Sequence, residues 1–185
     1  MERVTLAHRG GDPLFVTGRG VCIRLGDLAD EAEFLAAVER SRALHDPWVQ
    51  APSTPDAYRD YLSRHQDSRG AAFFIWLESP RRLVGVVNLS EIVYGGFRSA
   101  YLGYYAFVPH AGLGLMSAGL AKVITHAFDV MKLHRLEANI QPGNRRSKAL
   151  VKRLGFRREG LSPSYLKING RWRDHERWAI LSGEW

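Results

Sequence analysis

Apolar residues recur along this chain with two alternating periods. From Asp27 to Arg42 they fall at Leu28, Ala32, Leu35 and either Ala36 or Val38, three to four positions apart, which predicts a helix. Thr54-Pro55 opens a second helix carrying Tyr58, Tyr61 and Leu62, a hydroxyl before a proline being a helix-start signal. Between them, Leu44-His45-Asp46-Pro47-Trp48 reads as a loop with a large aromatic on it. Ala72 to Leu77 and Leu83 to Val93 are β-rich runs separated by Pro80-Arg81-Arg82, a hairpin pattern. Gly95-Gly96 turns the chain into a third strand, Tyr101 to Val108. The helical period returns from Leu115 to Leu133, with Met116, Leu120, Val123, Ala127 and Met131 on one face and Lys122, Asp129 and Lys132 toward water. Arg135 to Ile140 reads as a strand, Arg145 to Leu154 as a short helix stopped by Gly155, and two further strands flank Asn169-Gly170. Without repeats or linkers, this pattern predicts a mixed α/β single domain that closes on an antiparallel hairpin.

Composition narrows the class. With 185 residues, 45% hydrophobic and 24% charged, the chain suits one globular domain and excludes disorder, collagen-like repeats and a coiled coil. The single Cys22, inside the alternating run Val21-Cys22-Ile23-Arg24-Leu25, forbids an intrachain disulfide and reads as a core thiol, which points to a reducing cytosol. The first twenty residues hold no apolar run of the kind an export signal needs, so a cytoplasmic location is expected. Ser99 to Ala121 imitates a membrane span, since it lacks Asp, Glu, Lys and Arg. Gly103, Pro109-His110, Gly112, Gly114 and Gly119 break it into strand, turn and helix start, and no membrane partner is expected.

Phe107-Val108-Pro109-His110-Ala111-Gly112-Leu113-Gly114-Leu115-Met116 places close-spaced glycines where a strand ends and a helix begins. Such a turn exposes amides that, with the helix dipole, attract phosphate, or it is simply a tight turn. It is neither a full dinucleotide fingerprint nor a Walker loop. His110, His126 and His134 lack a joint ligand spacing with a Cys or a carboxylate pair, so no metal is expected.

Read in order, this loop, Leu133-His134-Arg135-Leu136-Glu137-Ala138-Asn139, Asn144-Arg145-Arg146-Ser147, and Arg153-Leu154-Gly155-Phe156-Arg157-Arg158-Glu159-Gly160 resemble the GNAT acetyltransferases. Tyr101-Leu102-Gly103-Tyr104 and Asn169-Gly170-Arg171-Trp172-Arg173-Asp174-His175 make the RimJ/RimL branch, N-terminal acetyltransferases of ribosomal proteins, the specific likeness, on its RimJ side. The resemblance implies an N-terminal segment 1–19 and a GNAT domain over 20–185. That domain would be a mostly antiparallel twisted sheet of about seven strands, splayed by a V-shaped cofactor cleft, with about four helices. It implies acetyl-CoA as co-substrate, with Phe107 and Val108 bonding pantetheine through their backbone. The pyrophosphate would rest on the amides of Gly112, Leu113, Gly114, Leu115 and Met116, and Asn144 would line the far side. Family members usually carry Arg or Gln at the place of Ala111, a basic residue at Leu113 and Glu at Ala118. Arg145, Arg146, Lys148, Lys152 and Arg153 either meet the 3'-phosphate or form a solvated helix face.

Acetyl transfer to an amine needs a deprotonated amine, a polarised carbonyl and a proton for the departing thiolate. By its place, Glu137 resembles the general base of some relatives, its alternative being an ion pair with Arg135; Glu91 competes for the role. The tyrosine that many relatives use to protonate the thiolate is replaced by Val151, which leaves Ser147, whose alternative is N-capping. Tyr104 and Tyr105 offer further hydroxyls, one of which alternation sends into the core. Trp48, with His45 nearby, would wall the groove for the acceptor, and Glu91 and Tyr105 are the other acceptor-side candidates. The expected function is acetylation of a ribosomal protein's N-terminal alanine by a monomer or homodimer that needs no nucleic acid. The alternatives are a small-molecule amine or amino-acid conjugate as acceptor, or a non-catalytic basic module for ribosome or RNA suggested by the net charge of +7.

Overall fold

The computed structural model describes residues 15–16, 20–65 and 67–185. Most of segment 1–19, set apart above, lies outside the described residues. In chain order the elements are β1 (Phe15–Val16), β2 (Val21–Leu25), a 3₁₀ turn (Leu28–Asp30), α1 (Glu31–Arg40), α2 (Arg42–His45) and α3 (Pro55–Ser63). Then come β3 (Gly70–Glu78), β4 (Arg81–Val93), β5 (Ser99–Ala106), α4 (Leu115–Asp129), β6 (Arg135–Ile140), α5 (Arg145–Arg153), β7 (Arg157–Ile168) and β8 (Arg171–Leu181), with a closing 3₁₀ turn Ser182–Glu184. The strands form one sheet in the order β1-β2-β3-β4-β5-β6-β8-β7: seven long strands and the two-residue β1. Every neighbouring pair is antiparallel except β5 with β6.

Helices cover both faces. On one, α4 and α5 pack Leu120, Val123, Ile124, Ala127 and Val151 against Phe73, Ile75, Val87, Leu136 and Ile180. On the other, α1 and α3 bring Phe34, Val38, Tyr58 and Tyr61 onto Phe74, Trp76, Val86 and Phe107. Coverage on both faces makes β3 a continuous buried run, because its alternate side chains serve different cores.

The expected helix Asp27–Arg42 is divided into the 3₁₀ turn, α1 and α2, with the break at Ser41. Leu28 and Ala32 are exposed, and the buried face is Phe34, Ala37 and Val38. Phe34, the largest apolar side chain in the helix, sets the rotation by packing on Tyr58 and Phe74. Asp27 and Asp30 form a capping box, and Asp30 also takes a buried ion pair from Arg24. α4 stops at Asp129, short of Leu133, where the Met131 and Leu133 amides turn back to His126 and Ala127 carbonyls and Lys132 takes a φ of +55°. Cys22 is buried, and burial pushes its thiol up. Among the described residues no helix is long and apolar enough to cross a membrane.

Candidate active site

β5 and β6 are paired over only three rungs, Ser99 with Arg135, Ala100 with Leu136 and Tyr101 with Glu137. Beyond Tyr101, β5 follows β4 as far as Ala106 opposite Gly85, while β6 follows β8 as far as Ile140 opposite Glu176. The sheet therefore opens into a V whose lips are the turn leading into α4 and the loop leading into α5.

At the first lip, Gly112 and Gly114 take φ of +83° and +79°, where side chains are strained, and a Cβ on Gly112 would meet nothing. No side chain caps the 15-residue α4 that follows, so the amides of its first turn stay available to an acceptor from outside. Leu113 is exposed, Leu115 is half-buried, and Met116 is buried against Gly85, leaving only its amide to serve this turn. The residues present thus fit a diphosphate. The backbone role expected of Phe107 and Val108 is not available through their N–H groups. Phe107 donates to the Val84 carbonyl at 2.8 Å, and Val108 donates to Ser41 Oγ at 3.0 Å. His45 Nε2 is 2.9 Å from the Ala106 carbonyl oxygen, so α1 and α2 are stapled to the end of β5. Burial holds His45 below the ordinary histidine range, the Ala106 carbonyl pulling the other way.

At the second lip, Asn144 Oδ1 accepts from the Ser147 amide at 3.1 Å, so Asn144 is the N-cap of α5. Ser147, freed from that role, has its Oγ 2.6 Å from the Tyr104 hydroxyl, which also donates to the Ser147 carbonyl at 3.0 Å. These contacts join β5 to α5 across the opening. Burial pushes the Tyr104 phenol well up, against the Ser147 bond. Val151 is fully buried in the core. Of the basic residues on α5, Lys148 is bound to Glu176 at 3.1 Å, while Arg145, Arg146, Lys152 and Arg153 are exposed. Burial alone would raise Glu176; Lys148, Trp178 and Arg158 together hold it below the usual carboxylate range.

The two faces of the V differ. Leu136, Ala138 and Ile140 face α4, so Glu137 and Asn139 face the other way, as do Tyr101 on β5 and Arg177 on β8. Glu137 is ion-paired with Arg135 at 2.7 Å, and Arg135 also holds Glu159 at 2.5 Å. Glu91 is not brought to this cluster. It stands exposed, with φ +48°, where the β4–β5 register slips. Tyr105 is also displaced from its expected role. Its buried hydroxyl lies beside that of Tyr61 without good hydrogen-bond geometry, and its ring packs on His45 and Phe107 at 5.3 and 5.6 Å. Tyr105 is a core residue because α1–α3 cover that face at its level.

Trp48 lies against Gly143, 3.1 Å from where a Cβ would stand. With Gln141, Pro142, Trp172, Arg173 and Asp174 these residues line an open pocket of about 330 Å³. Sequence spacing did not reveal Ser41, the Arg135–Glu159 pair or the Lys148–Glu176 pair, whose partners are joined only by the fold. Among the described residues no three His, Cys, Asp or Glu side chains gather into a metal site.

Residues 21–157 match the family model described as the acetyltransferase (GNAT) domain. A probable N-acetyltransferase of Bacillus subtilis is 32% identical over 158 residues, covering 85% of this chain and 86% of that protein. The ribosomal protein uS5 alanine N-acetyltransferase of Escherichia coli is 40% identical over 119 residues, 63% of this chain and 61% of that one. Among solved structures, Mycobacterium smegmatis RimJ in complex with CoA-disulfide superposes with a TM-score of 0.80 at 30% identity, covering 89% of this chain and 83% of that one. The ribosomal-protein-S5-alanine acetyltransferase of Vibrio fischeri superposes with a TM-score of 0.81 at 25% identity, covering 92% and 97%.

Proposed function

Since this chain belongs to the GNAT acetyltransferase family, and so moves an acetyl group from acetyl-CoA to an amine, we propose that its acceptor is the N-terminal alanine amine of a ribosomal protein. The observation that carries this reading is the pocket between Trp48, the Gln141–Gly143 loop and Trp172–Asp174, set at the open end of β6. It is open enough for a chain terminus to enter and leave. The 40% identity to an enzyme acting on a ribosomal-protein alanine supports the same acceptor.

In this reading the amides of Gly112 to Met116 hold the pyrophosphate of the co-substrate, and Arg145, Arg146 and Lys152 offer charge to its remaining phosphate. The acceptor nitrogen forms its bond to the thioester carbonyl carbon, the carbon–sulfur bond breaks, and the sulfur leaves as thiolate. Glu137 takes the amine proton, directly or through water, from the apex of the V. Ser147, hydrogen-bonded to Tyr104, supplies the proton to the thiolate from the first turn of α5.

The test is thiol release from acetyl-CoA with an alanine-started ribosomal-protein peptide, run beside spermidine and a no-acceptor control. Release with the peptide well above the other two is the expected result. Acetyl-CoA binding with release only for spermidine or another small amine would overturn the acceptor, and RNA binding without any release would favour the non-catalytic module.

A further inference from the structure

β7 and β8 fall out of step between Ser162 and Leu166. Ser162 is opposite His175 and Leu166 is opposite Arg173, so Pro163, Ser164 and Tyr165 all face the single residue Asp174. Proline supplies no amide that the ladder would miss. Ser164 adopts φ +47°, and its amide donates to Asp174 Oδ1 at 2.8 Å, so the residue left over on β8 ties down the extra residues on β7. Bulges re-aim side chains, and this one turns Tyr165 back over β8. Its ring lies 5.9 Å from that of His175, and its phenol interacts with the Tyr101 hydroxyl and with the charges of Glu137 and Arg177. Tyr101 and Glu137 form the last rung before the sheet opens. An outer strand thus delivers a second phenol to the apex of the cleft, on the acceptor face. Burial and the neighbouring Tyr101 push the Tyr165 phenol up to about 12, so it stays a hydrogen-bond donor.

Two phenols beside one carboxylate present donors and an acceptor together. An α-aminoacyl group carries the matching set, an amine next to a carbonyl oxygen, whereas an alkyl amine or polyamine has no carbonyl to accept from a phenol. Building on the N-terminal acceptor reading above, we propose that Tyr165 is a positioning residue for the acceptor. Its hydroxyl and that of Tyr101 bond the carbonyl oxygen next to the reacting amine, selecting α-aminoacyl acceptors over simple amines.

The experiment compares kcat/KM for an alanine-started peptide and for n-butylamine in the wild type and in Tyr165→Phe, Asp174→Ala and Asp174→Asn. Tyr165→Phe should lower kcat/KM for the peptide ~tenfold, mostly through KM, and leave n-butylamine turnover and acetyl-CoA affinity unchanged, as loss of one acceptor hydrogen bond requires. Asp174→Ala should act in the same direction with Tyr165 intact, and Asp174→Asn, which keeps an acceptor for the Ser164 amide, should restore activity. If the wild type turns over the peptide and Tyr165→Phe affects neither acceptor, or both equally, the positioning role is refuted while the acceptor reading stands. A wild type that acetylates n-butylamine and ignores the peptide overturns the acceptor reading, and this inference with it.

Discussion

The Tyr104 hydroxyl sits 2.6 Å from Ser147 Oγ, and this pair is the hydrogen-bonded link between β5 and α5 over the open part of the sheet. With the phenol kept protonated by burial, Ser147 can give its hydroxyl proton to the leaving thiolate while Tyr104 passes its own to Ser147, and the proton the pair has lost is returned from solvent. Ser147→Ala and Tyr104→Phe should each slow single-turnover acetyl transfer by ~10- to 100-fold while acetyl-CoA affinity changes less than ~twofold. Because the residues act as one unit, the double variant should be about as slow as the slower single. Losses that multiply would separate Tyr104 from the proton path.

Gly112 has open space where a Cβ would point, so a side chain there collides with no part of the protein. What it meets is the ligand side of the turn, together with the strain of φ +83°. Gly112→Val should weaken acetyl-CoA binding by at least ~tenfold in calorimetry and cost about 1–2 kcal/mol in urea unfolding. Unchanged affinity would remove the phosphate from this turn.

Trp48 closes one side of the pocket and rests on Gly143. Trp48→Ala should raise KM for an alanine-started peptide ~tenfold with little change in acetyl-CoA affinity, since the indole rests on Gly143 in the loop after β6. Gly143→Val, which forces the Trp48 ring aside, should reproduce the effect. A Trp48→Ala enzyme with normal peptide KM would show that the indole only anchors its loop.

Much of this architecture is legible in the sequence where a local signal is strong. Thr54 accepting from Ala57 at the start of α3, the alternation of β6 and the glycine after α5 place those elements within a residue. Leu28 and Ala32 misled because spacing alone does not say which of two interleaved faces holds Phe34. Tyr104 and Tyr105 could not be separated by alternation, since helices cover both faces of the sheet and each tyrosine meets a core. The Glu137–Arg135 pair was legible two residues apart on one strand face, whereas Glu159 comes from β7 and Tyr165 from a bulge that breaks the period.

Gly119 lets α4 pass close over β3, because a Cβ there would stand 2.5 Å from two carbons of Ile75. Gly119→Ala gains helix propensity, worth under about 1 kcal/mol, but must displace a fully buried side chain. Overpacking should win and destabilise the protein by about 1–3 kcal/mol in urea, with KM for both substrates unchanged. Ile75→Val in the same chain should recover part of the loss. A more stable Gly119→Ala would show that α4 can shift away from β3.

His45, His65 and His175 are each held below the ordinary histidine value, by burial first, with the Ala106, Tyr61 and Arg173 carbonyls pulling the other way. As pH falls, the unfolded chain therefore takes up protons before the folded one does. Stability contributed by these groups is whole above about pH 6.5, declines as pH drops through that value toward the folded ones, and then levels. Urea midpoints from pH 8 to pH 5 should fall on the acid side, and His45→Gln, which cannot bind the proton, should flatten part of that fall. Glu159, held low first by its hydrogen bond from Arg135, adds a separate loss only below about pH 4.5. The two limbs are thus separable, and a midpoint constant between pH 8 and pH 5 would mean that the three imidazoles protonate as readily folded as unfolded.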